Sequence, residues 1–125
     1  MPHCDEALKL IGQALVAYRD QNGGQNPPSL EALTETVDLS PWLLVCPGSG
    51  VPFGESSYKY RGGDLDNNAS AELIVAYDKK PWHKGRRNVL FADGSVQRFK
   101  EEVFEKTIDK DNQLRSQMGL EPKPE

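Results

Sequence analysis

The sequence has no apolar run long enough to cross a bilayer. Its longest, Trp42-Leu43-Leu44-Val45-Cys46, falls far short of the roughly 20 residues that a spanning helix takes. The opening Met1-Pro2-His3-Cys4-Asp5 lacks the charged and apolar stretches of a signal peptide. Taken literally, these two absences describe a cytosolic chain. Cysteine is scarce: Cys4 and Cys46 are the only two, with no Cys-x-x-Cys spacing, which excludes a cysteine-rich zinc site. The two read either as one disulfide in an oxidising compartment or as buried thiols. Positive charge is not in excess either. Fifteen Lys and Arg stand against 19 Asp and Glu, for a net charge of −4, so the overall balance does not drive the chain toward DNA, RNA or anionic lipid. There is no phosphate-binding loop, nucleophile elbow or dinucleotide fingerprint, and Gly48-Ser49-Gly50 alone carries no signal.

What is present describes one α+β domain. The chain has 125 residues, 37% hydrophobic and 27% charged, enough for a modest core. Ala7, Leu8, Leu10, Ile11, Ala14, Leu15 and Tyr18 repeat at helical spacing, which predicts a helix over about 5–22, capped by Asp5 and stopped at Gly23-Gly24. Pro27-Pro28-Ser29 then predicts a short helix carrying Leu30 and Leu33, with Ser29 as its cap. Prolines and glycines scattered over 37–56 predict an irregular loop that packs down through Trp42, Leu43, Leu44, Val45 and Phe53.

Three strand signals follow: 56–60, with alternating Tyr58 and Tyr60; 72–77, a dense apolar run; and a hairpin over 88–99 about Asp93-Gly94. Asp-Gly between apolar strands predicts a two-residue type I′ turn. That register pairs Phe91 with Val96 and puts Val89, Phe91 and Val96 on the face against the first helix. Residues 101–117 predict a peripheral helix with Val103, Phe104, Ile108 and Leu114 on a loose stripe, and 119–125 a flexible tail. The layout is a helix laid on a small antiparallel sheet, with a C-terminal helix after it.

Four blocks occur in an order that resembles a known family. His83 precedes Asp93-Gly94 in a His-x9-Asp-Gly arrangement, within Asn88-Val89-Leu90-Phe91-Ala92-Asp93-Gly94. Before it come Leu8-Lys9-Leu10-Ile11-Gly12-Gln13-Ala14-Leu15, Cys46-Pro47 and Ser57-Tyr58-Lys59-Tyr60. Over about 4–100 the chain is similar to the pilin-like proteins: the major pseudopilin of type II secretion and the prepilin-processing-associated His-x9-Asp-Gly domains. The resemblance implies a pilin-like head domain spanning 1–125, a structural subunit of a type II secretion (general secretion pathway) or type IV pilus-like system. It implies no enzymatic activity and no obligatory cofactor. Family members carry an N-terminal membrane helix that is not in this sequence. With it, the full-length form is expected in the inner membrane with its head in the periplasm or at the cell surface, beside other pilin-like subunits. A Cys4–Cys46 disulfide would then tie the loop to the start of the helix. Arg98 stands where the family usually has an aromatic, and marks an exposed edge.

Each candidate site has a functional and a structural reading. His83 and Asp93 could form a metal site or an acid–base pair, but two ligands are too few for a closed site. The weightier reading is structural, with His83 anchoring the loop and Asp93 and Gly94 making the turn. Asp64, Asp66 and Asn68 alternate as calcium ligands do, and the resemblance places a calcium loop in this region. Ala69 and Val75 stand where an EF-hand needs Gly and Glu. A polar turn is the heavier alternative. Lys79, Lys80, Trp82, Lys84, Arg86 and Arg87 form a basic loop that could meet an acidic face on a protein partner. The loop could also bind phosphates with Trp82 stacking on a base. A soluble module binding a surface polymer or nucleic acid through this loop is therefore the second functional reading.

Overall fold

The structure is a computed structural model, and it describes residues 4–36, 58–63, 65, 72–80 and 85–120. Helix α1 spans Cys4–Gln21, which places Asp5 inside the helix rather than at its cap. Leu8, Ile11, Ala14 and Leu15 are buried along one side, while Leu10 and Val16 face solvent. The helix ends as its glycines dictate. Gly23 and Gly24 adopt φ of 69° and 87°, and the Gly24 N–H reaches back to the Arg19 carbonyl at 2.8 Å. Helix α2, Leu30–Thr36, starts from the expected cap: the Ser29 hydroxyl accepts the Ala32 N–H at 3.1 Å.

The sheet has four antiparallel strands in sequential order: β1 Tyr58–Tyr60, β2 Ile74–Asp78, β3 Arg86–Phe91 and β4 Val96–Lys100. Every residue of β2 is buried. An irregularity between Ile74 and Ala76 turns Val75 and Ala76 together toward α1, while Ile74 and Tyr77 pack on the opposite face. The dense apolar run of β2 thus serves two cores.

Helix α3, Glu101–Gln117, covers that second face and is not peripheral. Phe104 and Ile108 join Ile74, Tyr77 and Val89 in a separate cluster, and the Phe104 ring lies 5.0 Å from that of Tyr77. Burying these two α3 side chains is worth about 3–6 kcal/mol, comparable with the whole stability of a small domain. Val103, expected on the stripe, is exposed. Leu120, expected in a flexible tail, is half-buried against the first core, its N–H bonded to the Arg115 carbonyl at 2.8 Å.

The hairpin departs from the expected register. Leu90 pairs with Val96 and Val89 with Gln97. The Phe91 N–H donates to the Ser95 carbonyl and the Gly94 N–H to the Phe91 carbonyl, both at 2.9 Å. Only Gly94 has positive φ. This is a three-residue loop, a type I turn closed by a left-handed glycine, in place of a type I′ turn. With one residue of slip, Val96 keeps its expected face against α1, while Val89 and Phe91 turn to the other side. Leu90 and Val96 face α1, while Val89, Phe91 and Phe99 face the α3 side.

Candidate functional site

The turn of the His-x9-Asp-Gly block is held by its own chemistry. The Asp93 carboxylate accepts the Ser95 N–H at 2.9 Å and the Ser95 hydroxyl at 2.6 Å. These bonds favour the charged form and hold the carboxyl below the usual aspartate range. Asp93 is exposed and supplies turn geometry. Gly94 has φ of 87° with open space where a Cβ would stand, so the cost of a side chain there is conformational. Gly94→Ala is expected to lose about 1 kcal/mol in urea melts, and Gly94→Asn less. Equal stability of Gly94→Ala and wild type would remove the left-handed requirement.

The turn also receives α1. A Cβ on Gly12 would meet Leu90 Cδ1 at 3.2 Å and the Gly94 Cα at 3.7 Å, so the helix backbone lies directly on the hairpin. On the other face, a groove of about 320 Å³ separates the hairpin from α3. Phe91 and Phe99 line it edge to face, with centroids 6.3 Å apart, together with Glu72, Gln97, Thr107 and Lys110. Its size lies at the lower end of small-molecule sites.

The basic loop divides. Lys79 and Lys80, directly after β2, and Arg86, at the start of β3, are exposed. Arg87 is not available to a partner. Its guanidinium binds Glu101 at 2.6 and 3.2 Å and lies 4.4 Å over the Phe104 ring, with 9% of its side chain exposed. Strand alternation explains the split, because neighbouring residues of β3 point to opposite faces. Trp82, His83 and Lys84 lie outside the described residues, as do Asp64, Asp66, Asn68, Cys46 and the side chain of Cys4. Among the described residues, no group of three His, Cys, Asp or Glu side chains could hold a metal ion. No helix there is long and apolar enough to cross a membrane.

Two buried polar clusters escape the sequence reading. The first joins α3 to the end of β1. Asp111 binds Arg61 at 2.8 Å and Arg115 at 2.9 Å, and accepts the Ile74 N–H at 2.7 Å. Arg115 also donates to the Arg61 carbonyl at 2.7 Å. The available signal was position: Phe104, Ile108, Asp111 and Arg115 follow one helical stripe. The second cluster ends β2, where buried Asp78 accepts the Asn88 N–H at 2.8 Å. Asn88 in turn accepts from Arg98 at 3.0 Å. Burial raises the Asp78 carboxyl to about 6.

Comparison with protein-family models, with curated proteins and with solved structures finds no match for this chain.

Proposed function

We propose that this chain is the head of a pilin-like subunit, a structural and assembly module of a type II secretion or type IV pilus-like system. In this reading it catalyses nothing. An N-terminal apolar helix anchors the full-length form, and the head stands in the periplasm or at the cell surface among other pilin-like subunits. The observation that carries the reading is the seating of α1. The helix lies on the antiparallel meander through Leu8, Ile11 and Leu15, with Gly12 against the hairpin turn. The Asn88-to-Gly94 block builds both that seat and the turn. A helix fixed in this way on a sheet makes a rigid block whose exposed loops can choose a neighbour.

The test is the N-terminal sequence of the native protein together with its fractionation. An apolar helix directly upstream of Cys4, found in the membrane fraction, is the expected result. A native start at Met1 in the soluble fraction overturns the reading and passes the lead to a soluble binding module. Exposed Lys79, Lys80 and Arg86 favour that module as the second reading, and single-stranded DNA binding that falls steeply with salt is its signature. Arg86→Glu separates contact from folding, since Arg86 is exposed at the sheet end. Its melting is expected to match wild type while subunit assembly falls, and unchanged assembly at low and high salt would remove Arg86 from the contact.

A further inference from the structure

β4 closes the sheet on one side, and its ladder alternates. The Phe91 N–H bonds the Ser95 carbonyl, and Val89 pairs with Gln97 and Arg87 with Phe99. Residues 95, 97 and 99 therefore turn their main-chain groups toward β3, while Val96, Arg98 and Lys100 turn theirs outward. The same alternation holds on β3, where the Asn88 and Ala92 N–H groups go the other way, to Asp78 and Leu73. Among the described residues, no strand lies beyond β4, and nothing bonds the outward N–H groups of Val96, Arg98 and Lys100. Lys100 is still extended, at φ −66° and ψ 156°, so the open edge runs the length of the strand. Proteins commonly bend such an edge with a bulge or break it with proline; β4 has neither.

The two faces beside this edge differ. On the α3 side, Gln97 and Phe99 join Phe91 in lining the groove of about 320 Å³. Both rings are only partly buried, so an apolar side chain entering there covers carbon that is now wet. Lys110 stands in the groove with Glu72 and Asp93, so charge does not select there; the rings do. On the α1 side, Arg98 and Lys100 are exposed, with Lys100 directly across from Arg86. Arg86 and Lys100 have no carboxylate partner among the described residues, whereas Glu101, in the first turn of α3, is taken by Arg87 on the other face. These cations deter a like-charged edge and invite an acidic one.

We propose that β4 receives an extended segment of another protein as a further antiparallel strand, with acidic side chains opposite Arg98 and Lys100 and apolar ones between them. Main-chain bonds to the outward groups supply the affinity, and the alternation supplies the specificity. Directly opposite residues of an antiparallel pair share a face, so the acids meet the cations while the apolar residues reach Phe99 and the groove. A second copy of β4 does not fit, because pairing two such edges about Arg98 sets that arginine against its own copy, and like charges directly opposite destabilise. The inference goes beyond the assembly reading and holds for an anchored or a soluble chain.

The test uses the full chain and an acetylated, amidated Glu-Ile-Glu-Leu-Val peptide, with amide hydrogen exchange followed by NMR. In the free protein the N–H groups of Val96, Arg98 and Lys100 are expected to exchange fast, and those of Gln97 and Phe99 slowly. The peptide should slow the first three. Methylating its two glutamate nitrogens, which face β4, should weaken binding about tenfold or more, while methylating the isoleucine and leucine nitrogens, which face away, should leave it unchanged. Lys100→Glu should lose about tenfold for this peptide and gain as much for Lys-Ile-Glu-Leu-Val, a swap that misfolding cannot produce. Outward N–H groups that exchange slowly in the free chain at every dilution mean that its own residues cover the edge, and overturn the proposal. Slowing that grows with protein concentration gives the edge to a second copy and overturns it as well. So does a peptide that leaves the three amides fast, that tolerates either methylation, or that Lys100→Glu binds unchanged.

Discussion

Asp111→Ala is expected to cost about 3–5 kcal/mol, enough to leave the domain marginal or unfolded at 37 °C. Asp111 is 1% exposed, and its carboxylate stands between two arginines that are 1% and 0% exposed. Its removal takes the counter-charge from both guanidiniums and the acceptor from the Ile74 N–H. An unpaired buried group forfeits the full cost of its lost hydration, whereas a surface pair is worth well under 1 kcal/mol. For an m-value of about 2 kcal/mol/M, the urea midpoint should fall by about 2 M. Asp111→Asn is expected to recover only part of this, because the amide oxygen can still accept from Ile74 while the charge is gone. A midpoint shift below about 0.5 M for Asp111→Ala would mean that the cluster does not hold α3 to the sheet.

Asp78→Asn is expected to move stability the other way at neutral pH. Asp78 is fully buried, and burial raises its carboxyl from 3.8 to about 6, against the opposing pull of the Asn88 hydrogen bonds and of Arg98 and Arg87. The folded state therefore binds this proton more tightly than the unfolded state. The resulting stabilisation is complete below pH 4 and is lost as the pH rises from about 4 through about 6. Above that window, ionised Asp78 costs the fold on the order of 3 kcal/mol. Asparagine removes the ionisation and retains an oxygen for the Asn88 N–H. The variant should thus be more stable than wild type by about 1–3 kcal/mol at pH 7.5 and equal to it near pH 4. Its stability should also lose the decline between pH 4 and 6 that this carboxyl imposes. Urea midpoints across that range decide the matter. Wild-type and Asp78→Asn stabilities that run parallel from pH 4 to pH 6 would show that folding does not raise this carboxyl.

Much of the local structure was legible in the residues. The start of α2 was fixed by Ser29 and the end of α1 by Gly23-Gly24, because a cap or a left-handed glycine acts over a few residues. The span of α3 was also readable from 101 to 117, as was the existence of the hairpin. Its register was not. Asp93-Gly94 suits a type I′ turn and also a type I turn closed by glycine. The choice fell to the Asp93–Ser95 bonds and to packing on both faces. Asp93 and Gly94 form the hairpin turn, Asp93 by accepting from Ser95 and Gly94 by its positive φ. Arg86 and Arg87 looked alike in the basic run, but Arg86 is the exposed first residue of β3 while Arg87 turns to Glu101 and the Phe104 ring.

The sequence by itself determined where the chain turns and which stretches coil or extend, since those depend on dihedral preference and on contacts within a few residues. Only the tertiary structure decided which face each strand residue meets, because that depends on register, and a slip of one residue reverses it. It also decided that Arg61 meets Asp111 across fifty positions of chain, and that Lys59, Lys79, Arg86 and Lys100 share one end. Charges act through space, so their grouping is set by the antiparallel order of the strands and not by their spacing along the chain.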